Sequence, residues 1–424
     1  VEVLLILTAL FALLLIGAPV AIVLGGLGMA LLLIGGFSPA IAATGLLSSM
    51  DSFILIAVPL FLLMSNVLLK GGVGQDLFAA VQAWVGHWPG GLAVATVLSC
   101  GMFAAISGSS VATAATIGTV AIPEMTRRGY PRPFVFGLLA AGGTLGILIP
   151  PSIILIVYGV ITESSILALF MAGVGPGLLL MLLFILYSMA YARFSVDYQP
   201  SPRASWAERR ASGARAFPTM VLAGFVIAGI YQGWFTPTEA SAIGFLGALA
   251  VTGLVLRSLT WEGLKGAVAE AMRTSAAILL IIAGAKVFGK AIALWRIPQD
   301  VSTFITANVD SAGAFILAVA ALLLVMGLFM EALSMLLIMM PVLAGAVGAF
   351  GIDVVWFGIF FIIMIEVALI TPPVGLNLYV IQAIGKASMG EVARGTLPFL
   401  IIMLFTVFLI TQFEDIALWL PRNM

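Results

Sequence analysis

Apolar residues run along this chain in long blocks, and polar residues gather in short breaks between them. About 20 apolar residues carry a helix across the hydrocarbon of a bilayer, and the pattern predicts about eleven to fourteen apolar helical segments. The expected fold is an all-α polytopic membrane protein. Four segments, 93–106, 111–122, 134–149 and 152–161, are too short to cross alone and are separated by Gly-Ser or Pro-Pro. Such interruptions are tolerated only where the backbone is shielded from lipid, so they predict re-entrant hairpins or broken helices. The first block, Val3 to Ile34, exceeds a signal-peptide core and ends in Gly35-Gly36 instead of a cleavage site, so it is expected to be retained. Stretches 75–87 and 260–273 are amphipathic and are expected to lie along the interface without spanning.

The chain also repeats itself. At one constant offset, without a gap, Gly129 meets Gly351, Pro150-Pro151 meets Pro372-Pro373, and Pro176 meets Pro398. Near-equal offsets bring Pro19, Gly26 and Ala30 to Pro237, Gly244 and Ala248, and Gln75-Asp76 to Gln299-Asp300. The predicted division is a first repeat, 1–195, with a hairpin at about 93–122 and a broken helix at about 134–161. A linker, 196–216, leads to a second repeat, 217–424, with a hairpin at about 313–345 and a broken helix at about 354–384. Arg193, Arg203, Arg209, Arg210 and Arg215 make the joining loop basic, which places it in the cytoplasm by the positive-inside rule. Arg127, Arg128 and Arg132 do the same for the loop before the first broken helix. Its counterpart, 346–354, holds no Lys or Arg and one acid, Asp353. The reversed bias predicts repeats of inverted topology, as in many secondary transporters.

Composition narrows the chemistry. With 62% hydrophobic and 8% charged residues, 18 basic against 18 acidic, the chain has no charge excess with which to hold nucleic acid. One histidine, His87, and one cysteine, Cys100, leave no zinc cage or thiol-enzyme site, and no enzyme activity is expected. The sequence from Gly284 to Lys290 imitates a phosphate loop but continues into Ala291 and has no strand before it.

The polar breaks are the candidate chemistry. From Ser107 to Thr116, five hydroxyls fall in ten residues between two half-length segments; Ser110 is placed to cap the following helix, whose free N–H groups would face an anion. A packing seam of small residues is the alternative reading. Pro150-Pro151 and Pro372-Pro373 each remove two N–H donors and free carbonyls upstream, an oxygen-rich setting suited to Na⁺. A simple proline kink is the plainer alternative. Glu331 and Glu366 both fall in apolar sequence, where an ionisable group costs about 2.5–3.5 kcal/mol. A structural pair with Lys286, Lys290 or a backbone N–H competes with a functional role for either acid.

Six ordered motifs make the chain resemble the large, M-type membrane subunit of tripartite ATP-independent periplasmic (TRAP) transporters, in the ion transporter superfamily. They are Gly17 to Ala21, Ser107 to Thr116, Gly146 to Ser152, Thr236 to Ala240, Phe329 to Ser334 and Thr371 to Asn377. The resemblance implies sodium-driven import of small organic acids, C4-dicarboxylates or sialic acid-like sugar acids, across a bacterial inner membrane. It implies an outer scaffold and a mobile elevator-type transport part, a small four-helix membrane subunit and a soluble periplasmic binding protein as partners. Na⁺ is the implied coupling ion, with no organic cofactor. One Na⁺ would lie at Ser107, Ser110, Gly146, Ile149 and Pro150, and another at Gly327, Met330, Thr371 and Val374. The substrate would lie between the tips, against Ser109, Thr113, Ser152 and Glu331, with Pro373, Gly375 and Asn377 opposite. A stand-alone sodium/dicarboxylate symporter, or a channel or scaffold subunit without coupling, are the rival readings.

Overall fold

The computed structural model describes residues 2–194, 198, 201–373 and 375–423. Val374, one of the expected sodium ligands, lies outside the described residues. The first half forms α1 (Glu2–Leu15), α2 (Val20–Ile34), α3 (Ala40–Met50), α4 (Ala57–Lys70) and α5 (Val73–Val85). It continues with α6 (Gly91–Ser107), α7 (Ser110–Arg127), α8 (Arg132–Leu148), α9 (Ile153–Thr162) and α10 (Ile166–Phe194). The second half forms α11 (Trp206–Tyr231), α12 (Pro237–Leu249), α13 (Trp261–Leu294), α14 (Ile297–Asn308) and α15 (Ala312–Gly327). It closes with α16 (Ala332–Ala349), α17 (Val354–Leu369), α18 (Leu376–Gly385), α19 (Met389–Gln412) and α20 (Asp415–Arg422). Among the described residues there is no strand, and seven helices are long and apolar enough to cross a membrane, or eight when the bent pair α8 and α9 counts as one span.

Local chemistry sets the boundaries. Gly17, at φ +88°, and Pro19 separate α1 from α2 inside the first apolar block. Capping boxes, Ser205 with Glu208 and Thr236 with Glu239, start α11 and α12 by satisfying free backbone donors. The stretch 260–273 departs from expectation. It is not a separate surface helix but the first part of the 34-residue α13. Its charges read as amphipathic because that end of a long helix emerges from the apolar layer.

Small residues bring the helices together. A β-carbon on Gly28 of α2 would meet the Phe288 backbone of α13, and one on Gly284 would meet the Ala21 carbonyl. The same happens between α8 and α19, where Gly137 and Gly395 each sit against the other helix's backbone. Backbones at such distance gain the dispersion contact that lipid cannot supply. Leu178, Leu182 and Leu186 on α10, and Ile401, Phe405 and Phe408 on α19, remain exposed on the outside, as lipid-facing positions would be.

One end of the molecule gathers the basic loops. Arg215 Nε lies 2.8 Å from Asp76 Oδ1, and Arg209 Nε donates to the Ala83 carbonyl at 3.2 Å, which ties the linker side to α5. Lys70 and Glu270, 3.5 Å apart, hold the start of α13 near the end of α4. Tyr198 of the linker packs on Tyr130, and Arg132 meets Glu391 at 3.3 Å. The starts of α8 and α19 therefore sit together, and Phe184 and Tyr187, late in α10, pack on Phe399, early in α19. So α10 ends where its sequence counterpart α19 begins.

Candidate functional site

At the first tip the chain turns through Gly108, at φ +58°, between α6 and α7. A side chain there would strike the Pro151 carbonyl at 2.6 Å, so the tip rests directly on the first proline break. Gly146 is equally constrained: its β-carbon would meet the Ser109 carbonyl at 2.5 Å and Thr113 Oγ1 at 2.7 Å. Ser107 Oγ lies 2.8 Å from Thr113 Oγ1, which itself donates to the Ser109 carbonyl at 2.8 Å. Ser109, not Ser110, caps α7, accepting from the Ala112 amide at 3.4 Å. The left-handed turn at Gly108 shifts the helix start by one residue, a register that the Gly-Ser-Ser sequence does not reveal.

The first break follows proline chemistry. Pro150 and Pro151 have no N–H, so the Gly146 and Ile147 carbonyls lose their helical partners. Ile149 turns to extended backbone at φ −78°, ψ 123°, and Ser152 restarts the helix by accepting from the Leu155 amide at 3.4 Å. Both Pro-Pro bonds, 150–151 and 372–373, are cis. In the second break Thr371 Oγ1 donates to the Val367 carbonyl at 2.6 Å, and Gly375 takes φ +39°. Gly327, at the second tip, packs against Ala368 beside this break.

Glu331 takes the alternative of a backbone N–H partner. It is exposed, not in apolar surroundings, and it occupies the repeat position of Ser109. As the N-cap of α16 its carboxylate accepts from the Leu333 amide at 3.1 Å, the Ser334 amide at 2.9 Å and Ser334 Oγ at 2.6 Å. Glu366 is the opposite case, fully buried in α17 and facing the Leu148 backbone without a well-formed hydrogen bond. No ion pair joins either acid to Lys286 or Lys290 among the described residues.

Both tips and both breaks line one cavity of about 200 Å³. Ser109 and Ser110 enter from the first tip, Glu331 and Ala332 from the second, Ile147 and Ile153 from the first break, and Leu369 and Leu376 from the second. The N-termini of α7 and α16 thus converge on it; the α7 end favours an anion, while the first amides of α16 are already taken by the Glu331 carboxylate. Asn377 ties the halves: its Nδ2 donates to Ser110 Oγ at 2.5 Å and to the Ala140 carbonyl at 3.0 Å, while its Oδ1 stays buried without a partner. Of the remaining expected residues, Ser107, Thr113 and Gly146 lie immediately behind the first tip. Ile149 packs on Gly101 and Gly177, and Pro150 is buried. Pro373 is exposed in its turn, and Met330 lines a separate apolar cavity with Phe11 and Leu14.

Sequence reasoning missed the far wall. Leu62 of α4 and Thr274 and Ile278 of α13 close the cavity from outside the hairpins. The polar pair Thr274-Ser275 inside an apolar helix was the available signal. Among the described residues no group of three or more His, Cys, Asp and Glu could hold a metal ion. The oxygen donors present, hydroxyls and freed carbonyls, suit a hard cation.

Residues 7–416 match the family model described as tripartite ATP-independent periplasmic transporter, DctM component. The chain is 39% identical to a C4-dicarboxylate TRAP transporter large permease protein of Pseudomonas aeruginosa, over 90% of this chain and 89% of that protein. It is 34% identical to a sialic acid TRAP transporter large permease protein of Vibrio cholerae, over 90% and 89% of the two chains. In fold it is similar to the YdaH transporter of Alcanivorax borkumensis, described as having an unusual topology, with a TM-score of 0.61, 13% identity, and coverage of 90% and 88%.

Proposed function

The chain belongs to the DctM-component family of tripartite ATP-independent periplasmic transporters, a multi-pass permease of the bacterial inner membrane and not an enzyme, and from that premise we propose that it imports small organic acids driven by Na⁺. The observation that carries this reading is the single cavity enclosed by two hydroxyl- or carboxylate-capped tips and two proline breaks. In our reading one Na⁺ takes the freed Gly146 carbonyl with Ser107 and Ser110 oxygens, and a second takes carbonyls near Gly327 and Thr371. The substrate carboxylate then lies at the N-terminus of α7, and the two bound cations balance its charge together with that of Glu331. No basic side chain lines this cavity, so sodium supplies the positive charge that the anion needs.

The two halves act as inverted repeats. Their hairpins and breaks form the moving part, and α2, α4, α12 and α13 the scaffold against which it travels as an elevator. Opposite running of α10 and α19 supports this arrangement. The relatives' names point to C4-dicarboxylates and sialic acid as candidate cargo classes. A small four-helix membrane subunit and a soluble periplasmic binding protein complete the proposed assembly.

Reconstitution in liposomes with both partners tests it. Uptake should require Na⁺ and a loaded binding protein together, and Thr371→Val should raise the Na⁺ needed for half-maximal uptake. Uptake on Na⁺ alone would indicate a stand-alone symporter, and flux indifferent to Na⁺ would sink the coupling altogether.

A further inference from the structure

A second cavity, of about 330 Å³, opens between α9, α13 and α16. The same three helices run from the tip cavity to it. On α13 the lining passes from Thr274 and Ile278 in the first cavity to Ile282, Lys286 and Lys290 in the second, in steps of four that keep one helical face. On α9 it passes from Ile153 to Thr162, and on α16 from Leu333 to Pro341. The start of α13 is held at the basic end of the molecule by Lys70 and Glu270. Lys286 and Lys290 are further along that helix, toward the opposite, periplasmic end.

Both lysines are half-buried, and among the described residues neither forms an ion pair. Lys290 Nζ donates to Thr44 Oγ1 at 3.1 Å. A cation drawn from water into a largely apolar wall is costly unless an anion meets it. The cavity is near the lower limit for small-molecule pockets, about 300 Å³, which suits a compact ligand. We infer that this cavity is an outer receiving site for the substrate carboxylate, held by Lys286 and Lys290 before it moves along α13 to the tips. The inference deepens the proposed import of organic acids and rests on it. It separates two tasks: lysines capture the anion outside, and sodium replaces them at the tips.

Amine acetylation of the purified protein, read by mass spectrometry in potassium buffer without Na⁺, tests the site directly. Succinate and sialic acid serve as carboxylate probes, and succinamide as the uncharged control. At ten times its Kd a carboxylate should slow acetylation of Lys286 and Lys290 about tenfold, and leave Lys70 and Lys265 unchanged. Protection of Lys290 should survive Lys286→Arg and weaken in Lys286→Gln. Equal rates with and without carboxylate, or equal protection by succinamide, would overturn the inference. So would protection that follows added phosphatidylglycerol and ignores carboxylate, which would assign the lysines to lipid headgroups. Loss of sodium dependence in liposomes would leave this readout intact, so the two readings fail separately.

Discussion

Asn377 is the clearest single-residue link between the halves of the chain. Its amide donates to Ser110 Oγ and to the Ala140 carbonyl, both in the other half. Asn377→Leu should take the donor from buried Ser110 Oγ and a second bond from the Ala140 carbonyl, and destabilise the protein by about 1–3 kcal/mol, measured by thermal unfolding in detergent. Combined with Ser110→Ala the losses should be less than additive, the mark of a direct contact; strict additivity would contradict the bond. The sequence drew attention to both residues but assigned them to separate sites. Spacing along a chain identifies polar residues in apolar segments, yet it says nothing about which of them interdigitate. The cap at Ser109 was hidden for a related reason, since two adjacent serines follow Gly108 and only the left-handed turn chooses between them. For Glu331 a backbone N–H partner was among the alternatives, but its exposure was hidden because its neighbours in sequence are apolar while its neighbours in space are the amides of Leu333 and Ser334 and an open cavity.

Whole helices meet through their glycines. A β-carbon on Gly395 would overlap the Pro133 carbonyl of α8, a backbone atom that cannot rotate away. Gly395→Ala should therefore push α8 and α19 apart and cost at least about 1–3 kcal/mol. Gly390→Ala, on the same helix with nothing within 4 Å, should be harmless. Comparing folded yield by size exclusion checks both, and equal yields would refute the close crossing. At the start of α11 the Ser205 backbone amide and then its hydroxyl, both bonded to Glu208, hold that carboxyl below its ordinary value of 4.5. A lowered folded value means that the cap's contribution is present above pH 4.5 and is lost as pH falls through the folded value. Amide exchange at residues 205–209 should accelerate in that acid range and be flat above it. Element positions followed the apolar blocks closely because a bilayer leaves the backbone few alternatives. Where one block ran on, as in α13, charges at its end suggested a break that the backbone does not make.

For the molecule entire, the sodium sites we propose at the tips predict a stability that depends on the cation. At one hundred times the Kd, Na⁺ should add about 2.7 kcal/mol over K⁺ at equal ionic strength, seen as a higher unfolding temperature. Identical curves in the two salts would count against an ion site in the purified protein. The repetition of the chain was legible because prolines and glycines survive at fixed spacing. The scaffold wall of the cavity was not, because Leu62 and Ile278 look like any residue in a lipid-spanning helix. Cys100 is the chain's only thiol, and it is fully buried where α6 passes Gly142 of α8. Maleimide dyes thus meet a blank background, and cysteines introduced at exposed Ser165 and Gln232 can carry a donor and an acceptor fluorophore. Transfer efficiency between them would time the excursions of single transporters with every native residue elsewhere left in place.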